Sequence, residues 1–204
     1  MSLESSILSY PERGPYGDNN YRGNCTGYLL KDLFQYFNPK TVLDPMEGSG
    51  TTRDVCKELG IEYTGFDLKE GHDLTGLTIT KEYDFIFFHP PYWDAVKYSD
   101  DKNDLSNCSY KEFENKLKIC LETLSSCLSD NGHLAVLIGD RRKKGNYYPL
   151  FKIVLDYLDE RLSLKNILIK QQHNVRSRFN DYGNIIPILH EYLLIYRKLK
   201  SGGK

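Results

Sequence analysis

The sequence predicts an α/β domain built on an open, mostly parallel β-sheet. Short apolar runs of strand length alternate with segments of helical period along the chain. Residues 83–88 are fully apolar after Asp84, as a strand covered on both faces requires. Asp44, Asp67, His89 and Gly139-Asp140 each fall at the carboxyl end of an expected strand, the edge where such sheets bind ligands.

Residues 1–25 are rich in Pro, Gly, Asn and Tyr and have little periodicity, so they are expected to form an ordered arm. Leu29, Leu30, Leu33, Phe34 and Phe37 fall at helical spacing over 27–37, with Thr26 as N-cap and Asn38-Pro39 as the stop. A strand at 40–44 leads into a helix from about Thr51 to Leu59, ended by Gly60. Residues 61–67 and 83–88 are the next two strands. The polar segment 94–109 is long for a loop in a compact domain. A helix from Tyr110 to Leu128 follows, with Phe113, Leu117, Cys120, Leu121 and Leu124 on one face. Then come a buried strand at 132–138 and a helix over 148–160 that turns Phe151, Val154, Leu155 and Leu158 inward. Two last strands, 164–169 and 192–196, flank a polar, basic and aromatic stretch at 171–189.

The 204 residues suit a single domain, 1–204, with a sizeable core and no separate target-recognition domain. A net charge of −1 gives no global attraction for nucleic acid. Any such contact falls to local basic clusters: Arg141 to Lys144, Arg176 with Arg178, or Arg197-Lys198 with Lys200. The five cysteines are odd in number and form no Cys-x-x-Cys pair; without a signal peptide they are expected to be reduced thiols of a cytoplasmic protein. No apolar stretch approaches the roughly 20 residues that span a bilayer, so no membrane partner is expected.

Two motifs carry the chemistry. The first, Asp44-Pro45-Met46-Glu47-Gly48-Ser49-Gly50-Thr51-Thr52, takes a strand through a glycine turn into a helix. Backbone can approach a ligand closely at such a turn. No Gly-Lys-Ser/Thr follows, which excludes the usual phosphate loop. The anions Asp44 and Glu47 favour a cationic or hydroxyl-rich ligand. Asp67 can bind both hydroxyls of a ribose, and Asp73 is placed to accept from an adenine amino group. A positively charged nucleoside meets these demands, and S-adenosylmethionine is one. The second motif is His89-Pro90-Pro91-Tyr92-Trp93. The prolines fix the backbone and remove donors, leaving the Pro90 carbonyl as a rigid acceptor. Tyr92 and Trp93 offer flat faces for a base. An acceptor at 89, a carbonyl at 90 and an aromatic ring at 92 can hold an exocyclic amino group and aim its lone pair at an electrophile. No His/Cys cluster has metal-ligand spacing.

The first motif resembles the cofactor motif of DNA amino-methyltransferases, the cytosine-N4 and adenine-N6 enzymes, and His89-Pro90-Pro91-Tyr92 resembles their catalytic motif. Tyr21-Arg22-Gly23-Asn24 resembles their additional cofactor-side motif. The segment His190 to Lys198 is similar to their closing strand. The resemblance implies a Rossmann-like S-adenosylmethionine-dependent methyltransferase fold with an antiparallel C-terminal strand. It implies that Asn24, Asp44, Pro45, Glu47, Gly48, Gly50, Thr51, Asp67 and Asp73 bind the cofactor. It implies that His89, Pro90, Pro91 and Tyr92 carry catalysis, Tyr92 by stacking on a flipped base. DNA is the implied partner, in restriction-modification alongside a restriction endonuclease. Trp93, Arg176 and Arg178 are the expected substrate contacts. The segments 94–109 and 171–189 are the only sizeable insertions available to read a target, together with a second subunit.

The family usually has Asp, Asn or Ser where this chain has His89. A neutral imidazole accepts with one nitrogen and an imidazolium with none. An unperturbed histidine titrates at roughly 6.5, so turnover is expected to fall in acid. Methylation of RNA or of a protein glutamine amide, and a non-catalytic cofactor-binding role, are the alternatives to DNA methylation.

Overall fold

The computed structural model describes residues 3–157, 159–173 and 186–200. The expected contacts Arg176 and Arg178, with Phe179 and Tyr182 beside them, lie outside those residues, as does Leu158. The chain runs β1 (Ile7–Ser9), α1 (Gly27–Phe37), β2 (Thr41–Asp44), α2 (Thr51–Leu59), β3 (Glu62–Gly65), β4 (Tyr83–Phe88), α3 (Tyr110–Ser126) and β5 (Leu128–Ile138). It continues through β6 (Arg141–Lys143), β7 (Asn146–Tyr148), α4 (Leu150–Leu155), β8 (Leu162–Gln171) and β9 (His190–Lys198).

Seven strands form one sheet in the order β1-β8-β9-β5-β4-β2-β3. All pairings are parallel except those of β9, which runs antiparallel to both β5 and β8. The mostly parallel sheet with an antiparallel C-terminal strand is therefore as the sequence predicts. Alternate residues of β4 enter different cores. Phe85 and Phe87 pack with Leu29, Leu33, Phe34 and Val55 of α1 and α2. Ile86 and Phe88 pack with Leu117, Leu121 and Val154 of α3 and α4. Helices thus cover both faces, and the uninterrupted apolar run of β4 follows from that.

Helix ends fall at defined caps, those of Thr26, Asn38 and Gly60 where expected. The Thr26 hydroxyl accepts from Tyr28 N, and Asn38 closes α1 in the left-handed region at φ 48°. Ser109 and Glu112 form a capping box at the start of α3. Gly60 ends α2 at φ 69°.

Two expectations are corrected, and a hairpin that the sequence did not announce is added. The N-terminal arm contributes β1, which adds to the sheet edge through Ile7, Leu8 and Ser9 opposite Ile169, Lys170 and Gln171. Residues 141–148 form a hairpin, β6–β7, turning through Lys144 and Gly145, both at positive φ (49° and 80°). The helix expected over 148–160 is confined to Leu150–Leu155. Downstream, Asp159 accepts from the backbone N and guanidinium of Arg161, which also reaches Glu122 and Ser125. These local bonds compete with helix continuation.

Candidate active site

The parallel sheet brings the ends of β2, β4, β5 and β8, and the start of antiparallel β9, to one edge. A cleft of about 970 Å³, part of it open solvent, lies over the β2–β4 part of this edge. Asn24, Asp44, Pro45, Glu47, Gly48 and Thr51 line it, together with Asp67, Asp73, His89 and Pro91. The structure thus gathers residues from 24 to 91 around one space.

The cradle is built from the turn outward. Asp44 ends β2, is buried, and accepts from Thr52 Oγ1 (2.5 Å) and Met46 N (3.1 Å). Burial pushes its carboxyl up to about 7, with the charges of Glu47 and Asp67 adding to the rise against the hydrogen bonds from Thr52 and Met46. Glu47 pairs with Arg53 at 2.8 Å. Gly48 and Gly50 adopt φ of 51° and 77°, and Gly50 is the N-cap of α2. A Cβ on Gly48 would sit 3.0 Å from the Tyr21 ring. Gly50 itself is not a wall of the cleft; its role is the turn.

Asp67 lies two residues past the end of β3, which stops at Gly65 rather than at 67. Its two oxygens accept from Gly48 N (3.0 Å) and Lys69 N (2.9 Å), so it ties the glycine turn to the next segment. Asp73 Oδ1 accepts from Thr75 N and Oγ1. Asn24 donates to the carbonyls of Tyr21 (2.7 Å) and Asp18 (3.1 Å), which folds the arm on itself, and Asp18 N in turn donates to the Ser49 carbonyl of the glycine turn.

His89 follows β4. Burial lowers its pKa to about 4, a shift that the charge of Glu191 opposes and that of Lys170 assists. Its Nε2 lies 2.9 Å from the Tyr92 hydroxyl, which donates to Glu191 Oε1 at 2.6 Å. Glu191 pairs in turn with Lys170. Tyr92 is half-buried and does not line the cleft; a Cβ on Gly139 would fall 2.7 Å from its ring. Pro90 is buried, so His89 and Pro91 form the wall.

Trp93 is not a free stacking face. It is buried, its Nε1 donates to the Cys108 carbonyl (2.9 Å), its ring packs against Tyr110 and Tyr148, and Lys143 Nζ lies over it at 4.3 Å. An apolar ring of that size gains more from the core behind the loop than from an open surface. Segment 94–109, expected to read a target, supplies part of the cleft wall. Tyr98, Ser99, Asn103, Asp104 and Leu105 line the cleft, and Tyr98 stacks on Tyr21 at 5.9 Å. Arg141 and Lys143 of the basic cluster are engaged by Asp94.

Sequence reading assigned no site role to Tyr98, Lys170 or Glu191 individually. Glu191 lies 99 residues from Tyr92, and no local pattern links them.

No family model and no curated protein matches the sequence. Solved structures match its fold. TrmN from Thermus thermophilus aligns with a TM-score of 0.51 and 16% identity, over 87% of this chain and 50% of its own. The plantazolicin methyltransferase BpumL, in complex with SAH, aligns with a TM-score of 0.51 and 13% identity, over 86% and 84%. TehB from Haemophilus influenzae aligns with a TM-score of 0.51 and 13% identity, over 85% and 62%. The fold is thus the Rossmann-like one of methyltransferases, and the chain spans half the length of TrmN.

Proposed function

We propose that the chain binds S-adenosylmethionine and methylates the exocyclic amino group of adenine or cytosine in DNA. The observation that carries this is the meeting of an acid-lined glycine cradle and His89 in one cleft. The donor set suits the cofactor. Asp44, Glu47 and Asp67 crowd negative charge into partly dry space, and a cation there relieves the cost that keeps the Asp44 carboxyl near 7. When bound, S-adenosylmethionine supplies an electrophilic methyl group on a sulfonium. Asp44 and Glu47 would hold its methionine end, Asp67 its ribose and Asp73 its adenine. His89, kept neutral by desolvation at the cleft wall, accepts a hydrogen bond from the target amine, and the Pro90 carbonyl is the proposed second acceptor. These acceptors would turn the amine lone pair toward the cofactor side of the cleft; transfer of the sulfonium methyl would leave S-adenosylhomocysteine, and the proton that the methylated nitrogen then loses would pass to solvent. Positioning supplies the rate.

Methyl-label transfer to DNA, RNA and protein fractions, with digestion of labelled DNA to nucleosides and mass identification, tests the reading. N6-methyladenosine or N4-methylcytidine deoxynucleosides are expected. Label found only in RNA or protein overturns the DNA assignment, and cofactor binding without transfer to any fraction overturns catalysis. A restriction endonuclease and a second copy of the chain are the proposed protein partners.

Two further results are expected. Asp67→Ala removes the acceptor for Gly48 N and the proposed ribose contact together. Calorimetry should show S-adenosylhomocysteine affinity falling roughly 10- to 100-fold, as for loss of hydrogen bonds to a charged group. Replacing both Arg176 and Arg178 with Ala should weaken DNA binding and flatten its salt dependence, with cofactor affinity nearly unchanged. DNA affinity that stays constant across salt concentrations would remove these arginines from the interface.

A further inference from the structure

Behind His89 runs a chain of side chains that the cofactor cradle does not need. Tyr92 Oη lies between His89 Nε2 (2.9 Å) and Glu191 Oε1 (2.6 Å), and the other carboxylate oxygen of Glu191 meets Lys170 Nζ. Lys170 and Glu191 are direct partners across the β8–β9 ladder, and both are buried. Burying an ion pair costs desolvation that an apolar pair would avoid. Its place at the ligand-binding edge calls for a reason beyond stability.

Proton counting supplies one. Burial pushes the Glu191 carboxyl up, but the charge of Lys170 and the hydrogen bonds from Lys170 and Tyr92 outweigh it and hold Glu191 ionised. An ionised carboxylate only accepts. The single phenolic proton of Tyr92 therefore goes to Glu191, and burial keeps that phenol protonated. Tyr92 Oη then has only lone pairs to offer His89, so Nε2 must carry the imidazole proton. The other nitrogen, Nδ1, has no hydrogen-bond partner among the described residues. His89 itself lines the cleft.

We propose that Tyr92, Glu191 and Lys170 are positioning residues that lock His89 in its Nε2–H tautomer, leaving the Nδ1 lone pair as the acceptor for the substrate amine. The opposite tautomer would present an N–H to an N–H. The second half of this inference rests on the methyl-transfer reading above; the lock does not. Through it, a histidine does the work of an amide or carboxylate oxygen.

The test is tautomer-resolved 15N NMR of the full chain labelled at histidine, with the His89 signals assigned by their loss in His89→Asn. In the wild type, the proton should sit on Nε2 and Nδ1 should show the shift of an unprotonated nitrogen. Glu191→Gln should reverse this. Lys170 keeps the amide oxygen, the amide NH2 faces Tyr92, and the Tyr92 proton turns to Nε2 and drives the histidine proton to Nδ1. Tyr92→Phe removes the acceptor and should leave both tautomers populated. Methyl transfer should fall in both variants, at least about tenfold in Glu191→Gln, with cofactor affinity unchanged. A wild-type ring protonated on Nδ1, or a tautomer unmoved in both variants, overturns the lock. A tautomer that moves while methyl transfer does not leaves the lock standing and removes His89 as the amine acceptor. No transfer from the wild type to any substrate, with Nε2–H in place, supports the lock and counts against the proposed function alone.

Discussion

His89→Ala is expected to abolish most methyl transfer, by about 10²-fold, while leaving S-adenosylmethionine affinity close to that of the wild type. The side chain meets the proposed substrate amine, and the acids that would bind the cofactor stand on other elements. His89→Asn should retain more activity, since its amide oxygen still accepts. The pH profile gives a separate check. An imidazole in water titrates at roughly 6.5, but burial holds this one at about 4. The neutral, accepting form therefore persists through mildly acidic solution. The fall in turnover assigned to this group should lie near pH 4, well below the limb that the sequence alone suggests. Equal turnover in the wild type and the alanine variant would end the acceptor role.

Asp44→Asn is expected to move ligand affinity and stability in opposite directions. The variant keeps an acceptor for Met46 N and a partner for Thr52 but loses the charge. Affinity for S-adenosylmethionine should fall roughly 10- to 100-fold. Stability should rise, and the sign follows from linkage. The folded carboxyl titrates at about 7 and the unfolded one near 3.9. The folded state therefore binds the extra proton, and stability contributed by this group declines as pH rises through that window. Asparagine removes the decline. The melting temperature of the free protein should exceed the wild type's by several degrees at pH 8, by less near pH 5, and match it only below about pH 4, where both states carry the proton. In the wild type, binding a cation should expel the proton, so affinity should climb as pH rises toward and past 7. Equal melting temperatures at pH 8 would show that the Asp44 carboxylate is not strained.

The main architecture was legible because its signals are local. The run Phe85 to Phe88, the cap at Thr26, and the stops at Asn38 and Gly60 each declare themselves within a few residues. The cradle was legible for the same reason, since Asp44 to Thr51 is one continuous segment. What escaped depends on distance or on weak turn chemistry. Lys-Gly is a poorer hairpin signal than Asn-Gly, so β6–β7 was hidden inside a basic run. β1 has three residues and one buried side chain, too short for periodicity to register. Trp93 shares its motif with residues at the cleft, yet its ring turns the other way, to Tyr110 and Tyr148. Tyr92, Glu191 and Lys170 meet only because an antiparallel strand returns beside β5 and β8.

The β8–β9 ladder closes at Gln172 N to Leu189 O, just beyond the Lys170–Glu191 pair. Everything between those rungs is therefore attached to a fixed base. Such a segment can be lengthened or exchanged at small entropic cost, since closure grows only slowly with length. Evolution, or an engineer, could graft a new recognition segment between residues 173 and 188 and leave the chemistry alone. Chimaeras with transplanted segments should keep cofactor affinity and the His89 tautomer while changing substrate selectivity, if the proposed methyl transfer is the chain's reaction. Selectivity and reactivity would then be inherited separately across a two-strand boundary.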